Sequence, residues 1–102
     1  MARLPNIHPG EILSEEFLRP LGITPYRLAK DIGVQQSRIS QILCGERAVS
    51  ADTAIRLGRN FGTSAQLWIN LQSAFDLEEI ERSGSKQYES IKLHTALETS
   101  RR

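Results

Sequence analysis

The sequence predicts an all-α fold: a compact five-helix bundle with a helix-turn-helix at its centre and a dimerisation helix toward its C-terminus. Three observations predict it. No segment alternates apolar and polar residues at period two, and runs of β-branched residues are absent. Helix punctuation recurs instead, at Thr24-Pro25, Gly33, Gly45, Ser50, Gly62 and Ser64. Between these marks the apolar residues fall at helical spacing.

Residues 1–8 read as extended. A first helix is expected to start near Pro9 and Gly10 and to place Ile12, Leu13, Phe17 and Leu18 at helical spacing. Pro20 is expected to stop it, because proline lacks the N–H and crowds the preceding turn. The second helix opens with Thr24 as N-cap and Pro25 at its first position, and turns Leu28, Ala29 and Ile32 inward. Gly33 supplies a residue tolerant of positive φ for the turn, and Val34 plugs it. A third helix runs through QQSRISQIL with Ile39, Ile42 and Leu43 inward, and Gly45 closes it. Ser50 caps a fourth, ADTAIRLGRNF, with Ala54, Ile55, Leu57 and Phe61 inward and Gly62 at its end. Ser64 caps a fifth, AQLWINLQSAFDLEEIE, which is apolar on more than one face. Leu67, Leu71 and Ala74 fall on one side, Trp68 and Phe75 on another, and Ile69 between them. SGS at 83–85 marks a break, after which Tyr88, Ile91, Leu93 and Leu97 support a short helix at most. The expected organisation is a helix-turn-helix domain over 1–82, with the helix-turn-helix itself at 24–43 and the dimerisation helix at about 64–81, then a polar tail over 83–102.

A chain of 102 residues, 39% apolar and 25% charged, suits one soluble domain that buries a core without disulfides. No apolar run approaches the ~20 residues that span a bilayer. The start, MARLPNIHPGEIL, lacks the basic end and apolar stretch of a signal peptide. Cys44 is the only cysteine, so no internal disulfide forms; together these features point to the cytoplasm. His8 and His94 are the only histidines and have no acidic or cysteine partner at ligand spacing, so no metal or other cofactor is expected. His8 reads as a capping or packing residue of the HPGE turn, and Cys44 as incidental. Nothing resembles a Ser/His/Asp constellation, a phosphate loop or a catalytic carboxylate pair, so the chain is not expected to be an enzyme.

The net charge of +1 favours no partner, but its distribution does. Arg27, Lys30, Arg38 and Arg47 outnumber Asp31 and Glu46 over 24–47. Asp76, Glu78, Glu79 and Glu81 make 75–81 acidic, and Arg82, Lys86, Lys92, Arg101 and Arg102 turn the end basic. Local fields within a near-neutral total suit partners of different sign.

The feature that carries function is spacing. Ala29, Gly33, Ile39 and Ile42 stand four, six and three residues apart. In a helix-turn-helix the small residue lets the second helix pack closely, the glycine makes the turn, and the two aliphatics anchor the recognition helix. The outward side of that helix offers Gln35, Gln36, Ser37, Arg38, Ser40 and Gln41, side chains that bond base edges in the major groove. Thr24, Tyr26, Arg27 and Arg47 are the expected phosphate contacts. Polar helix faces are ordinarily just solvated; here the turn spacing and the QQSR face coincide, which favours DNA. The surplus apolar face of the fifth helix is expected to pair two copies through Trp68, Leu71, Ala74, Phe75 and Leu77. Such a dimer sets its recognition helices about 34 Å apart. The alternative is that this helix covers two surfaces of its own core.

HPGEIL at 8–13, EEFLRPLGIT at 15–24, LAKDIGV at 28–34, the run from Arg38 to Ser64 and LWINLQSAFDLE at 67–78 together resemble the HigA-type antitoxins. These are helix-turn-helix proteins of the Xre superfamily, phage-repressor-like in fold, from bacterial toxin–antitoxin operons. The likeness covers roughly 5–80; Phe75 stands where the family commonly has tyrosine, and the end of the chain carries none of its signature. The resemblance implies that the protein binds a RelE-like ribonuclease toxin and blocks it, and represses its own operon as a dimer. It places Gln36, Ser37, Arg38 and Gln41 among the base readers. Glu11, Glu15 and Glu16, or Asp76, Glu78 and Glu79, form acidic faces suited to a basic toxin. The alternative function is a stand-alone repressor without a toxin.

Overall fold

The computed structural model describes residues 4–84 and 86–98; the predicted basic residues Arg101 and Arg102 lie outside that range. An extended entry leads into α1, built of an α-helical turn Pro9–Ile12, a π-helical stretch Leu13–Leu18 and a last turn Arg19–Leu21. The His8 imidazole caps it by accepting the Gly10 N–H through Nδ1 at 2.9 Å. Contrary to expectation, Pro20 does not stop this helix. The wide π register ahead of it, in which the Arg19 N–H reaches back to the Ser14 carbonyl, displaces the carbonyl that the proline ring meets in a regular α-helix. Gly22 ends α1 in the left-handed conformation.

Four further helices follow in the expected order. α2 spans Pro25–Ile32 and α3 Gln36–Leu43, joined by the turn at Gly33. α4 spans Ala51–Phe61 and α5 Ala65–Ser83, capped by the hydroxyls of Ser50 and Ser64. Two single turns, α6 at Lys86–Glu89 and α7 at Thr95–Glu98, bring the number among the described residues to seven, with no strand.

The core joins Leu13 and Leu18 of α1, Leu28, Ala29 and Ile32 of α2, Ile39 and Ile42 of α3, Val49, Ala54 and Leu57 of α4 and its lead-in, and Trp68 of α5. Phe17, Val34, Leu43 and Phe61 pack against it from partly buried positions. Ile55 does not turn inward as expected but is exposed. At about 100° per residue it stands off the line of Ala54, Leu57 and Phe61, and Thr53 and Gly58 take the buried flanks instead.

The predicted dimer residues scatter. Trp68 is fully buried among the core side chains, its indole N–H donating to the Thr63 hydroxyl at 2.9 Å, so it is no dimer contact. An indole with apolar neighbours and a partner for its one donor belongs inside. Leu71, Ala74 and Phe75 line a groove beneath the entry segment with Pro5, Ile7 and Ile12. Leu77 points away on the opposite side of α5, beside Ile80 and Tyr88. The molecule measures 55 × 31 × 21 Å with a radius of gyration of 17.8 Å, well above the ~13 Å of a compact chain this long. The distal part of α5 and the polar end carry it outward.

Candidate nucleic-acid interface

The putting together of α2 and α3 is local chemistry. Thr24 caps α2 by accepting the Arg27 N–H at 3.1 Å. At the other end Gly33 has φ 72°, and the two N–H groups that follow bond back into the helix, Gly33 to the Lys30 carbonyl and Val34 to that of Ala29. This closure satisfies carbonyls the helix would otherwise leave open and aims α3 across α2. α3 ends in the same way at Gly45, whose N–H bonds the Ile42 carbonyl while that of Glu46 bonds Gln41.

Gly10 sets how closely α1 approaches α3. A Cβ at this position falls 1.9 Å from the Ile42 carbonyl oxygen, so only glycine lets the start of α1 rest on the end of α3. His8 holds the same junction: its ring lies against Gly45 and meets Phe75 of α5 edge-on at 4.8 Å.

With Ile39 and Ile42 fully buried, the opposite side of α3 is centred on Ser37, Ser40 and Gln41, all exposed. Gln36 stands on one flank of this row, and Gln35 is the exposed N-cap. Arg47 reaches the row from the loop beyond, donating to the Gln41 side-chain oxygen at 3.2 Å. With that oxygen engaged, the Gln41 amide offers its N–H donors outward. Thr24, Tyr26 and Arg27 are exposed at the start of α2, with Arg27 paired to Asp31 at 2.9 Å. Of the predicted base readers, Arg38 alone leaves the open row. It lies on the other flank, half-buried, and pairs with Asp52 of α4 at 2.7 Å.

A helix-turn-helix family pattern matches residues 15–68. The Vibrio cholerae antitoxin HigA-1 is 35% identical over 94 residues, covering 91% of this chain and 89% of that protein. The chain belongs to the HigA-type antitoxin family. Virulence-associated protein I of Dichelobacter nodosus is 51% identical over 79 residues, 78% of this chain and 73% of the relative. The solved structure of the Pseudomonas aeruginosa antitoxin HigA with the higBA promoter is 45% identical, matches with a TM-score of 0.81, and covers 86% of this chain and 97% of that one.

Three residues that brace the exposed row of α3 from behind escape sequence reasoning. Arg56 donates to the Ile32 carbonyl at 2.7 Å, tying α4 to the end of α2, and its Nε bonds Asp52. Asp52 thus holds Arg38 and Arg56 at once, and these hydrogen bonds, Arg38's first, pull its carboxyl below the usual carboxylate range. Buried Gln72 of α5 accepts the Val49 N–H at 2.8 Å and donates to Asp76, which fixes the strand of chain between α3 and α4. None has a periodic signature; only the i, i+4 steps from Asp52 to Arg56 and from Gln72 to Asp76 are visible in the sequence.

Proposed function

We propose that this chain is an antitoxin and autorepressor, which binds its operator as a dimer and neutralises a RelE-like ribonuclease toxin. One observation carries the DNA half: a row of short polar side chains, Gln36, Ser37, Ser40 and Gln41, stands exposed on a helix whose other side is buried and whose C-terminal end is closed by backbone hydrogen bonds. Such a helix enters the major groove without reordering, and each good bidentate contact discriminates by about 1–3 kcal/mol. Arg47, Tyr26, Arg27 and the capped start of α2 flank it as phosphate contacts, which supply affinity rather than choice. That a relative has been solved with its promoter supports this reading. The reading takes 1–82 as the working domain and 83–102 as a tail. It pairs two copies through one of the two surfaces between which the predicted α5 residues divide, the groove of Leu71, Ala74 and Phe75 or the side that carries Leu77.

Two measurements test it. A gel shift with the chain's own promoter against a scrambled duplex tests repression: a protein with no preference is not an autorepressor. Co-expression with the neighbouring reading frame tests the antitoxin half: failure to rescue growth or to co-purify leaves a stand-alone repressor. Within the repressor, Gln36→Ala or Gln41→Ala relaxes operator choice by about 1–3 kcal/mol for each lost base pairing. Toxin neutralisation survives these changes. Its loss would make α3 the toxin surface as well.

A further inference from the structure

We infer that Asp52 is a positioning residue for operator reading, holding Arg38 as a strut on the flank of α3 and so leaving base choice to Gln36, Ser37, Ser40 and Gln41. The inference rests on the DNA-binding reading above. Its ground is a continuous chain of contacts. Arg38 Nη1 of α3 donates to Asp52 Oδ2 at 2.7 Å and lies 3.4 Å from the Thr53 hydroxyl. The same Oδ2 accepts Arg56 Nε at 3.0 Å, and Arg56 Nη1 continues to the Ile32 carbonyl at 2.7 Å and that of Gly33 at 3.4 Å. One carboxylate therefore links the recognition helix, the first turn of α4 and the turn of the helix-turn-helix.

Geometry separates Arg38 from the readers. Successive residues of α3 advance about 100°, which puts Arg38 about as far round from Ser37 as Gln36 is, but on the other side. Gln36 is exposed there, whereas the Arg38 side chain is 30% exposed and directed to α4. An arginine released from Asp52 is a mobile cation beside the groove. It finds a phosphate on any duplex, while α3, no longer tied to α4, loses the fixed orientation on which base contacts depend, so scrambled DNA gains and the operator loses. Asp52 at the start of α4 prevents this by holding the guanidinium and offsetting its charge. Exposed ion pairs are worth little to folding. The gain here is orientation and selectivity rather than stability.

The test uses the full chain, its promoter duplex and a scrambled duplex, with affinities taken over a salt series and folding checked by circular dichroism. Asp52→Asn is expected to lower the operator-to-scrambled ratio about tenfold, the size of one good base contact. It is also expected to steepen the salt slope by about one phosphate. Asp52→Glu restores most of the ratio. Arg38→Gln also lowers the ratio, because the strut is lost, but it spreads the loss over all the base pairs that α3 reads and does not steepen the salt slope. Arg56→Lys keeps the charge but not the fork; it lowers the ratio with Asp52 intact, and so serves if Asp52→Asn folds poorly. A ratio unchanged in both Asp52→Asn and Arg56→Lys overturns the assignment. So does a tenfold loss at a single base pair in Arg38→Gln, which would make Arg38 a reader. A wild-type ratio of one removes the DNA-binding reading itself and this inference with it, an outcome visible before any variant is made.

Discussion

The helix-turn-helix and the distal half of α5 are built on opposite plans. Around α3 every apolar side chain has a place, and the polar residues that remain are tied to one another or held in a row. Ile39 and Ile42 are fully buried, Arg38 is paired, and the C-terminal end is closed by backbone hydrogen bonds from Gly45 and Glu46. Beyond Phe75 the pattern reverses. Leu77 is 64% exposed, and Ile80, Tyr88, Ile91, Leu93 and Leu97 are exposed with it. Within α5 itself, Trp68 and Gln72 belong to the first plan and Leu77 and Ile80 to the second. A surface that must present polar groups in fixed positions is braced from behind, whereas past Phe75 the far end leaves its apolar residues exposed.

The sharpest test of this contrast sets Trp68 against Leu77 on one helix. Trp68→Ala removes a fully buried indole and its hydrogen bond to Thr63, and is expected to cost about 3–5 kcal/mol in chemical denaturation. Leu77→Asp, measured at low protein concentration, is expected to stay within about 0.5 kcal/mol of the parent. At high concentration it shifts sedimentation toward the monomer if Leu77 lies in the pairing surface. Comparable losses for the two variants would erase the distinction between the halves.

A smaller effect tests how the bracing reaches the recognition helix. Gln72 is the buried partner of the Val49 N–H. Gln72→Leu keeps much of the volume and leaves that donor buried without an acceptor, a cost of about 1–3 kcal/mol. Hydrogen exchange at Val49 is expected to quicken, while the preference for the promoter over scrambled DNA is retained. Unchanged exchange at Val49 would show that α5 does not hold this loop.

The two plans were not equally legible in the sequence. Helix boundaries around the reading head are written in local chemistry: Thr24, Gly33, Gly45, Ser50, Gly62 and Ser64 stand at the cap positions their side chains or missing side chains predict. The periodic core residues of α2 and α3 are legible for the same reason. Pro20 misleads because a π-helical stretch absorbs it, and that widening has no residue signature of its own. Trp68 misleads because an apolar face on a late helix does not say whether core or partner covers it. Ile55 shows the same limit in α4. Asp52, Arg56 and Gln72 act across 14 to 24 residues of sequence, through side-chain reach that only the packed helices define.

His8 joins the two regions, and it offers the mildest test. It caps α1, contacts the Arg47 backbone beside the reading face, and meets Phe75 of α5. Burial pushes its pKa below the ordinary 6.5, outweighing the Asp76 charge and the Arg47 backbone hydrogen bond, which both pull upward. The folded chain therefore binds fewer protons at His8 than the unfolded chain does. The stability this brings is complete above about pH 6.5 and is lost as pH falls through the lower folded value. Protonation also removes the lone pair that accepts the Gly10 N–H. Lowering the pH from about 7.5 to 5 is thus expected to lower the unfolding midpoint modestly, by less than the Gln72 change does. His8→Asn, which retains a capping side chain without titrating, should flatten that dependence. Parallel pH profiles for the two proteins would show that His8 carries no pH linkage between the reading face and α5.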